Sequence, residues 1–187
     1  MESTINDLKS RRSVRRFKDE QISDEVLNKI LEAGTYAPTG MGKQSPIILV
    51  IQRKDIIERL SQWNKSFFPD ELLKSEDADN LDPFYGAPTV LIVLADSTIP
   101  TAVYDGSLVI GNLLNAAHAL GVGACWIHRA KEEFDSEQGK ELLKIWDIPE
   151  NYIGIGHCIL GYPVEDMELN ISPRKEDYVI FIDKKLD

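Results

Sequence analysis

Short apolar runs alternate with longer amphipathic stretches along this chain, a pattern that predicts β-strands separated by helices. The runs are rich in β-branched residues, and their lengths are those of strands that are buried on both faces. They span residues 47–51, 89–94, 123–128 and 152–160, with 178–182 as a further candidate. Four or five strands separated mostly by helices indicate an α+β or a three-layer α/β domain.

The clearest helix signal follows Ser23. Serine is a favourable N-cap, and Asp24 and Glu25 in the next turn suit the helix dipole. Ile22 and Leu27 stand at the spacing of a hydrophobic staple around this cap. Further helices are predicted at about residues 5–11, 55–63 and 136–146, and a mobile excursion is predicted at 65–83.

A long helix is predicted from Thr101 to Leu120, and its apolar residues cover most of its circumference. A helix that is apolar nearly all round is buried on nearly all sides. We therefore expect a second subunit to cover part of this helix, in addition to the protein's own sheet. The alternative is a central core helix in a monomer.

Composition narrows the class of protein. The chain has 187 residues and a formal net charge of −10, which argues against a general nucleic-acid or anionic-membrane binder. No apolar run is long enough to cross a membrane and the N-terminus lacks a signal peptide, so we expect a cytoplasmic location. One domain over residues 1–187 is expected, with Cys125 and Cys158 as buried thiols and no metal site.

A basic cluster stands out in this acidic chain. Residues 11–17 read Arg-Arg-Ser-Val-Arg-Arg-Phe, and planar guanidinium groups around a serine suit a phosphate. Alternatively, the cluster is a solvated helix end, where arginine interacts favourably with the last carbonyl groups.

Five segments, in this order and spacing, resemble the FMN-dependent nitroreductase family. They are the basic cluster, residues 37–40 with Gln44, residues 85–88, residues 120–127, and residues 160–163 followed by Arg174. The resemblance implies a three-layer α+β fold with a central, mostly antiparallel sheet of four or five strands. It also implies a homodimer with FMN at the subunit interface.

The resemblance implies a phosphate end and a ring end of the FMN site within one subunit. Arg11 and Arg174 would grip the phosphate, and Arg12 and Ser13 would lie around the phosphate and the ribityl chain. Arg15 would sit near the pyrimidine end of the ring, where a cation suits the negative charge of the reduced flavin.

The remaining roles implied by the resemblance surround the ring. Pro38, Thr39 and Gly40 would approach the flavin from the partner subunit, and Gln44 would offer its amide to the ring or the ribityl chain. Residues flanking the ring would be Trp126, Ile127 and His128. One departure is Gly42, which stands where many family members carry asparagine.

The activity implied by the resemblance is that of an oxidoreductase. NADH or NADPH would reduce the flavin, and a nitroaromatic, a quinone or a similar acceptor would then take the electrons in a ping-pong cycle. No catalytic acid or base is predicted, because the cofactor supplies the reactivity. The alternatives are a protein that stores or senses FMN without turnover, a specialised dehalogenating or flavin-fragmenting enzyme, and a flavin-free protein that docks an acidic partner.

Overall fold

The computed structural model describes residues 2–165 and 172–182, and its centre is a four-stranded sheet in the order β1-β2-β4-β3. Every neighbouring pair is antiparallel. The strands are β1 (Pro46–Ile51), β2 (Thr89–Asp96), β3 (Gly123–Ile127) and β4 (Tyr152–Gly161). The sheet predicted from the apolar runs is therefore confirmed.

Helices cover both faces of the sheet. The described residues form α1 (Glu2–Ser10), α2 (Asp24–Thr35), α3 (Lys54–Lys65), α4 (Asp70–Leu73), α5 (Ala102–Ala119), α6 (Ala130–Asp135) and α7 (Glu137–Ile145). As predicted, Ser23 caps α2 by accepting a hydrogen bond from the Val26 N–H. Across these described residues, no helix combines the length and the apolar character needed to cross a bilayer.

Alternating side chains of β2 divide the core into two layers. Leu91 and Val93 pack towards α2 and α5, whereas Ile92 and Leu94 pack towards α3, α6 and α7. Successive side chains of a strand point to opposite faces, so both faces of a central strand must be apolar. The result is the three-layer α+β arrangement that the sequence predicts.

A bulge in the β2–β4 pairing brings α6 close to the sheet. The register shifts between Val93 and Leu94, opposite the segment from Gly154 to Gly156. A side chain at Gly154 would overlap the backbone carbonyl of Ala130, so glycine is what permits this approach. This packing places α6 directly over β4.

Two predictions of secondary structure are wrong. Residues 178–182 form no strand, and their large side chains are between 68% and 84% exposed. Their β-branched composition favours a strand, but they pair with no strand of the described chain, and a lone strand leaves its backbone groups unpaired. The sequence also missed α6, because Ser136 ends α6 and caps α7, so two short helices share one apparent signal.

Two further predictions need refinement. The stretch 65–83, predicted as a mobile excursion, contains α4 and a 3-10 turn. The long helix α5 buries one side against the sheet, with Ile110 and Leu113 fully buried. It leaves Val103, Tyr104 and Leu108 exposed within this chain. Both thiols are buried and free, as predicted.

Candidate functional site

The segment after α1 runs along β3 and is fixed there by backbone contacts. The Val14 N–H donates to the Ala124 carbonyl at 3.0 Å, and Ser13 forms a parallel bridge with Ala124. Further along, the Lys18 N–H donates to the Tyr162 carbonyl at 2.9 Å. Main-chain hydrogen bonds to the edge of the sheet therefore fix the backbone from which the side chains of the basic cluster extend.

Arg11 carries a polar atom that the protein does not satisfy. Its Nη1 is buried, and it has no hydrogen-bond partner among the described residues. Burial strongly raises the pKa of the Cys158 thiol, and the Arg11 charge opposes that rise. A buried cationic nitrogen without a partner is costly, so this position suits an anionic ligand.

Arg12 behaves differently from Arg11. Its Nη1 donates to the carbonyls of Lys9 and Arg11, both at 2.7 Å, at the C-terminal end of α1. This contact is the one expected of a helix-end arginine. Its Nε is buried without a partner among the described residues, so one donor of Arg12 is free to bind a ligand.

A cavity of about 250 Å³ brings together four of the predicted residues. Its lining residues are Arg15, Asn64, Phe68, Pro83, Tyr85, Cys125, Trp126, Ile127, His128 and Arg129. The guanidinium carbon of Arg15 lies 5.9 Å from the centre of the Tyr85 ring, which is within cation–π range. We call this space the ring cavity, because aromatic and cationic walls suit a planar group that carries negative charge.

Sequence reasoning missed several residues of the ring cavity. Asn64 reaches it from α3, and Arg129 lies between β3 and α6 with a left-handed φ of 83°. Arg129 also pairs with Glu132 at 2.7 Å. No local pattern marks Asn64, because a buried asparagine in an amphipathic helix looks like any polar position.

The second group of predicted residues lies on a loop that does not line the ring cavity. Thr39 and Gln44 line a separate cavity of about 370 Å³ together with residues of α2, β1 and α5. In this loop Met41, Gly42 and Gln44 all have positive φ values, between 50° and 64°. The Gln44 N–H donates to the Thr39 hydroxyl at 3.1 Å, which closes the loop on itself.

Asp105 on α5 anchors this loop, and no local sequence pattern marks it as an anchor. Its carboxylate accepts hydrogen bonds from the Gly40 N–H (3.0 Å), the Ser45 hydroxyl (2.8 Å) and the Thr101 hydroxyl (3.0 Å). Burial pushes the pKa of Asp105 up, but these three hydrogen bonds together outweigh burial and lower it. Any side chain at residue 40 would overlap Thr101, so the loop needs glycine there.

A comparison of the sequence with known families decides the family. A profile of the Nitroreductase family matches residues 8–162. The chain belongs to the Nitroreductase family. This confirms the resemblance drawn from the five segments.

Solved nitroreductases share the fold along nearly the whole chain. A nitroreductase with bound FMN from Bacteroides fragilis is 29% identical, with a TM-score of 0.83 and coverage of 96% of this chain and 98% of that one. An FMN-dependent nitroreductase from Clostridium difficile is 30% identical, with a TM-score of 0.80 and coverage of 95% and 98%. By sequence, the FMN reductase [NAD(P)H] of Bacillus subtilis is 23% identical over 88% of this chain and 68% of its own length.

Within this nitroreductase chain the predicted residues fall into three places. Ser13 and the residues of the ring cavity surround β3, whereas Pro38, Thr39, Gly40 and Gln44 lie on the loop held by Asp105. Arg174 is exposed on the C-terminal segment. Arg174 lines neither the ring cavity nor the cavity beside the loop.

Proposed function

We propose that this protein binds FMN and acts as an NAD(P)H-dependent oxidoreductase. The observation that carries the proposal is the buried, unpartnered Nη1 of Arg11 on the segment that leads to the ring cavity. The FMN bound in the B. fragilis relative and the name of the B. subtilis relative support the same cofactor and electron donor.

The residues fit FMN at both ends. Arg11 and Ser13 would hold the phosphate, with the free Nε of Arg12 nearby and Arg174 as a second cation brought from the C-terminal segment. Trp126, Ile127 and His128 would flank the ring, and Arg15 would lie near its pyrimidine end. Bound FMN would supply the chemistry, accepting a hydride from NADH or NADPH and releasing electrons to a second substrate.

The protein's own part is binding and electrostatics. The cationic side chain of Arg15 favours negative charge in the ring cavity. We propose that the nicotinamide and a nitroaromatic or quinone acceptor use the same open face of this cavity in turn. No side chain is needed as a catalytic acid or base.

We further propose that the functional unit is a homodimer of one-domain chains spanning residues 1–187. Large apolar side chains are exposed around the loop held by Asp105 and along α5: Tyr36, Met41, Val50, Val103, Tyr104 and Leu108. Large exposed apolar side chains on neighbouring elements are typical of a subunit interface. In such a dimer, Pro38, Thr39, Gly40 and Gln44 of one copy would complete the FMN site of the other.

Visible absorption tests the proposed activity. The purified protein is loaded with FMN, desalted, and followed without oxygen while NADH or NADPH is added. A flavin band that bleaches, and that returns when a nitroaromatic or a quinone is added, is the expected result. A retained band that never bleaches would point to FMN storage or sensing, and no retained band would overturn the flavin assignment.

Light scattering on the same sample tests the assembly. A mass of twice 21.1 kDa is expected for the homodimer. A folded monomer that retains FMN would contradict the proposed interface.

A further inference from the structure

A buried polar triad lies directly behind the ring cavity. Asn64 on α3, Glu133 on α6 and His157 on β4 are each fully buried. His157 Nε2 lies 2.6 Å from Glu133 Oε2, and the Asn64 amide donates to Glu133 Oε1 at 2.8 Å. Three different elements of the fold therefore meet at one carboxylate inside an otherwise apolar layer.

Stability alone does not account for this triad. Burying a carboxylate, an amide and an imidazole is costly, and apolar side chains of similar volume often give an equally stable core. The triad also leaves Asn64 Oδ1 and His157 Nδ1 without hydrogen-bond partners among the described residues. Its directional hydrogen bonds are better explained by a role in holding neighbouring parts of the backbone in place.

One bond of the triad reaches a wall of the ring cavity. The Asn64 amide also donates to the backbone carbonyl of His128 at 2.8 Å. His128 and Arg129 form the connection between β3 and α6, and Arg129 is held in a left-handed conformation that non-glycine residues rarely adopt. Such strain persists only where the surroundings fix the backbone.

The triad also contacts Phe84, the residue before another lining residue of the ring cavity. The His157 ring packs against Phe84, with their centres 5.2 Å apart. Phe84 is fully buried and precedes Tyr85, which has a φ of 53° and lines the ring cavity beside Arg15. The side chains behind the cavity are thus joined to both of its walls.

We propose that Asn64, Glu133 and His157 are positioning residues that fix the His128–Arg129 backbone and the Tyr85 turn, and thereby set how an acceptor lies in the ring cavity. The role in acceptor binding rests on the proposed oxidoreductase function. The role in fixing the backbone does not, and it can be measured without FMN.

Hydrogen exchange in the FMN-free protein tests the first role. Asn64→Leu keeps the number and branching of the side-chain heavy atoms and removes both N–H donors, so exchange in peptides spanning residues 126–131 should accelerate about tenfold. The matched control is Leu143→Ala, which perturbs the same buried layer from α7 without touching His128. Exchange in these peptides that is unchanged, or that rises equally in the control at equal loss of Tm, would overturn the proposal.

Two further variants cover a failure of Asn64→Leu to fold. Asn64→Ser is smaller and is too short to bridge Glu133 and His128, so it should accelerate exchange at the same residues. Glu133→Gln keeps an oxygen that accepts from Asn64, so hydrogen exchange at residues 126–131 should stay near that of the wild type. A serine variant with wild-type exchange would also overturn the proposal.

Steady-state kinetics on the FMN-loaded proteins test the second role. With p-benzoquinone as acceptor, Asn64→Leu should raise KM about fivefold and change kcat less, while the control Leu143→Ala should leave KM near that of the wild type. FMN affinity should fall by less than the change in KM, because the proposed phosphate contact of Arg11 lies on a different segment and stays intact. An unchanged KM, or an FMN affinity that falls in parallel, would overturn this role. A failure of the proposed function would be distinguishable from these outcomes, because the flavin band of the wild-type protein itself would then not bleach.

Discussion

The two regions that carry the predicted FMN contacts are built in opposite ways. The segment around Arg11 is held by main-chain hydrogen bonds to β3, and it buries a cationic nitrogen that has no hydrogen-bond partner within residues 2–165 and 172–182. The loop from Thr39 to Ser45 is anchored to α5 by the buried carboxylate of Asp105, whose oxygens accept three hydrogen bonds from protein groups. The first region is cationic and suits an anionic ligand. The second region contains its own anion, Asp105, which fixes the conformation of the loop.

This difference predicts that changes in the first region affect ligand affinity and that changes in the second region affect protein stability. A change at Arg11 should alter ligand affinity with little effect on the stability of the FMN-free protein. A change at Asp105 should alter stability first, because the loop depends on it. Three experiments test this contrast.

Asp105→Ala should have the largest effect. It leaves the Gly40 N–H and the hydroxyls of Ser45 and Thr101 without their acceptor, which should lower the free energy of unfolding by about 3 kcal/mol. Urea denaturation measures this. The matched control is Asp96→Ala, which also removes an acceptor of three hydrogen bonds but at the surface, so its loss should be clearly smaller. Equal losses would show that the loop does not depend on a buried anchor.

Arg11→Ala should weaken FMN binding by about 2 kcal/mol, within the range for charge-assisted hydrogen bonds. The FMN-free protein should lose no stability, because Nη1 forms no hydrogen bond with a described residue and its burial is itself costly. Fluorescence titration with FMN and thermal unfolding measure the two quantities. Arg16→Ala, at an exposed arginine of the same cluster, serves as the control and should leave affinity unchanged. Equal FMN affinity in Arg11→Ala and wild type would refute the assigned role.

Acid should weaken the anchor at Asp105 and produce the smallest effect. Burial opposes ionisation, but the three hydrogen bonds hold the pKa of Asp105 below its ordinary value of 3.8. The unfolded chain therefore binds this proton more readily, so the contribution is fully present above about pH 4 and is lost as pH falls through the folded pKa. Urea unfolding at several pH values should show the stability gap between wild type and Asp105→Asn narrowing with acid. A gap that stays constant would mean that the charge of Asp105 contributes nothing.

Local sequence signals were sufficient for most of the framework. Ser23 caps its helix as predicted, because an N-cap bond needs only neighbouring residues. The apolar runs of β2 and β4 predicted buried strands, because burial on both faces leaves a continuous apolar pattern. The family was likewise recognised from motifs whose order and spacing are properties of the chain alone.

Groups that depend on distant partners were not predictable in this way. Asp105 anchors a loop 65 positions away, and Asn64 bonds Glu133 across 69 positions. In the sequence each looks like an ordinary polar residue. At residues 178–182 the error was the opposite one, a predicted element that does not form. The composition favours a strand, but the described chain offers no partner strand.

The sequence by itself therefore determined the strands, most of the helices, the order of the motifs and the family, since each depends on side-chain periodicity or on near neighbours. Only the tertiary structure decided which polar groups are buried and which of them lack a partner. It separated Arg11 from the loop held by Asp105 and placed the triad of Asn64, Glu133 and His157 behind the ring cavity. The reason is physical: the energy of a buried charge or hydrogen bond depends on atoms brought together by the fold, and the spacing of residues along the chain does not record that distance.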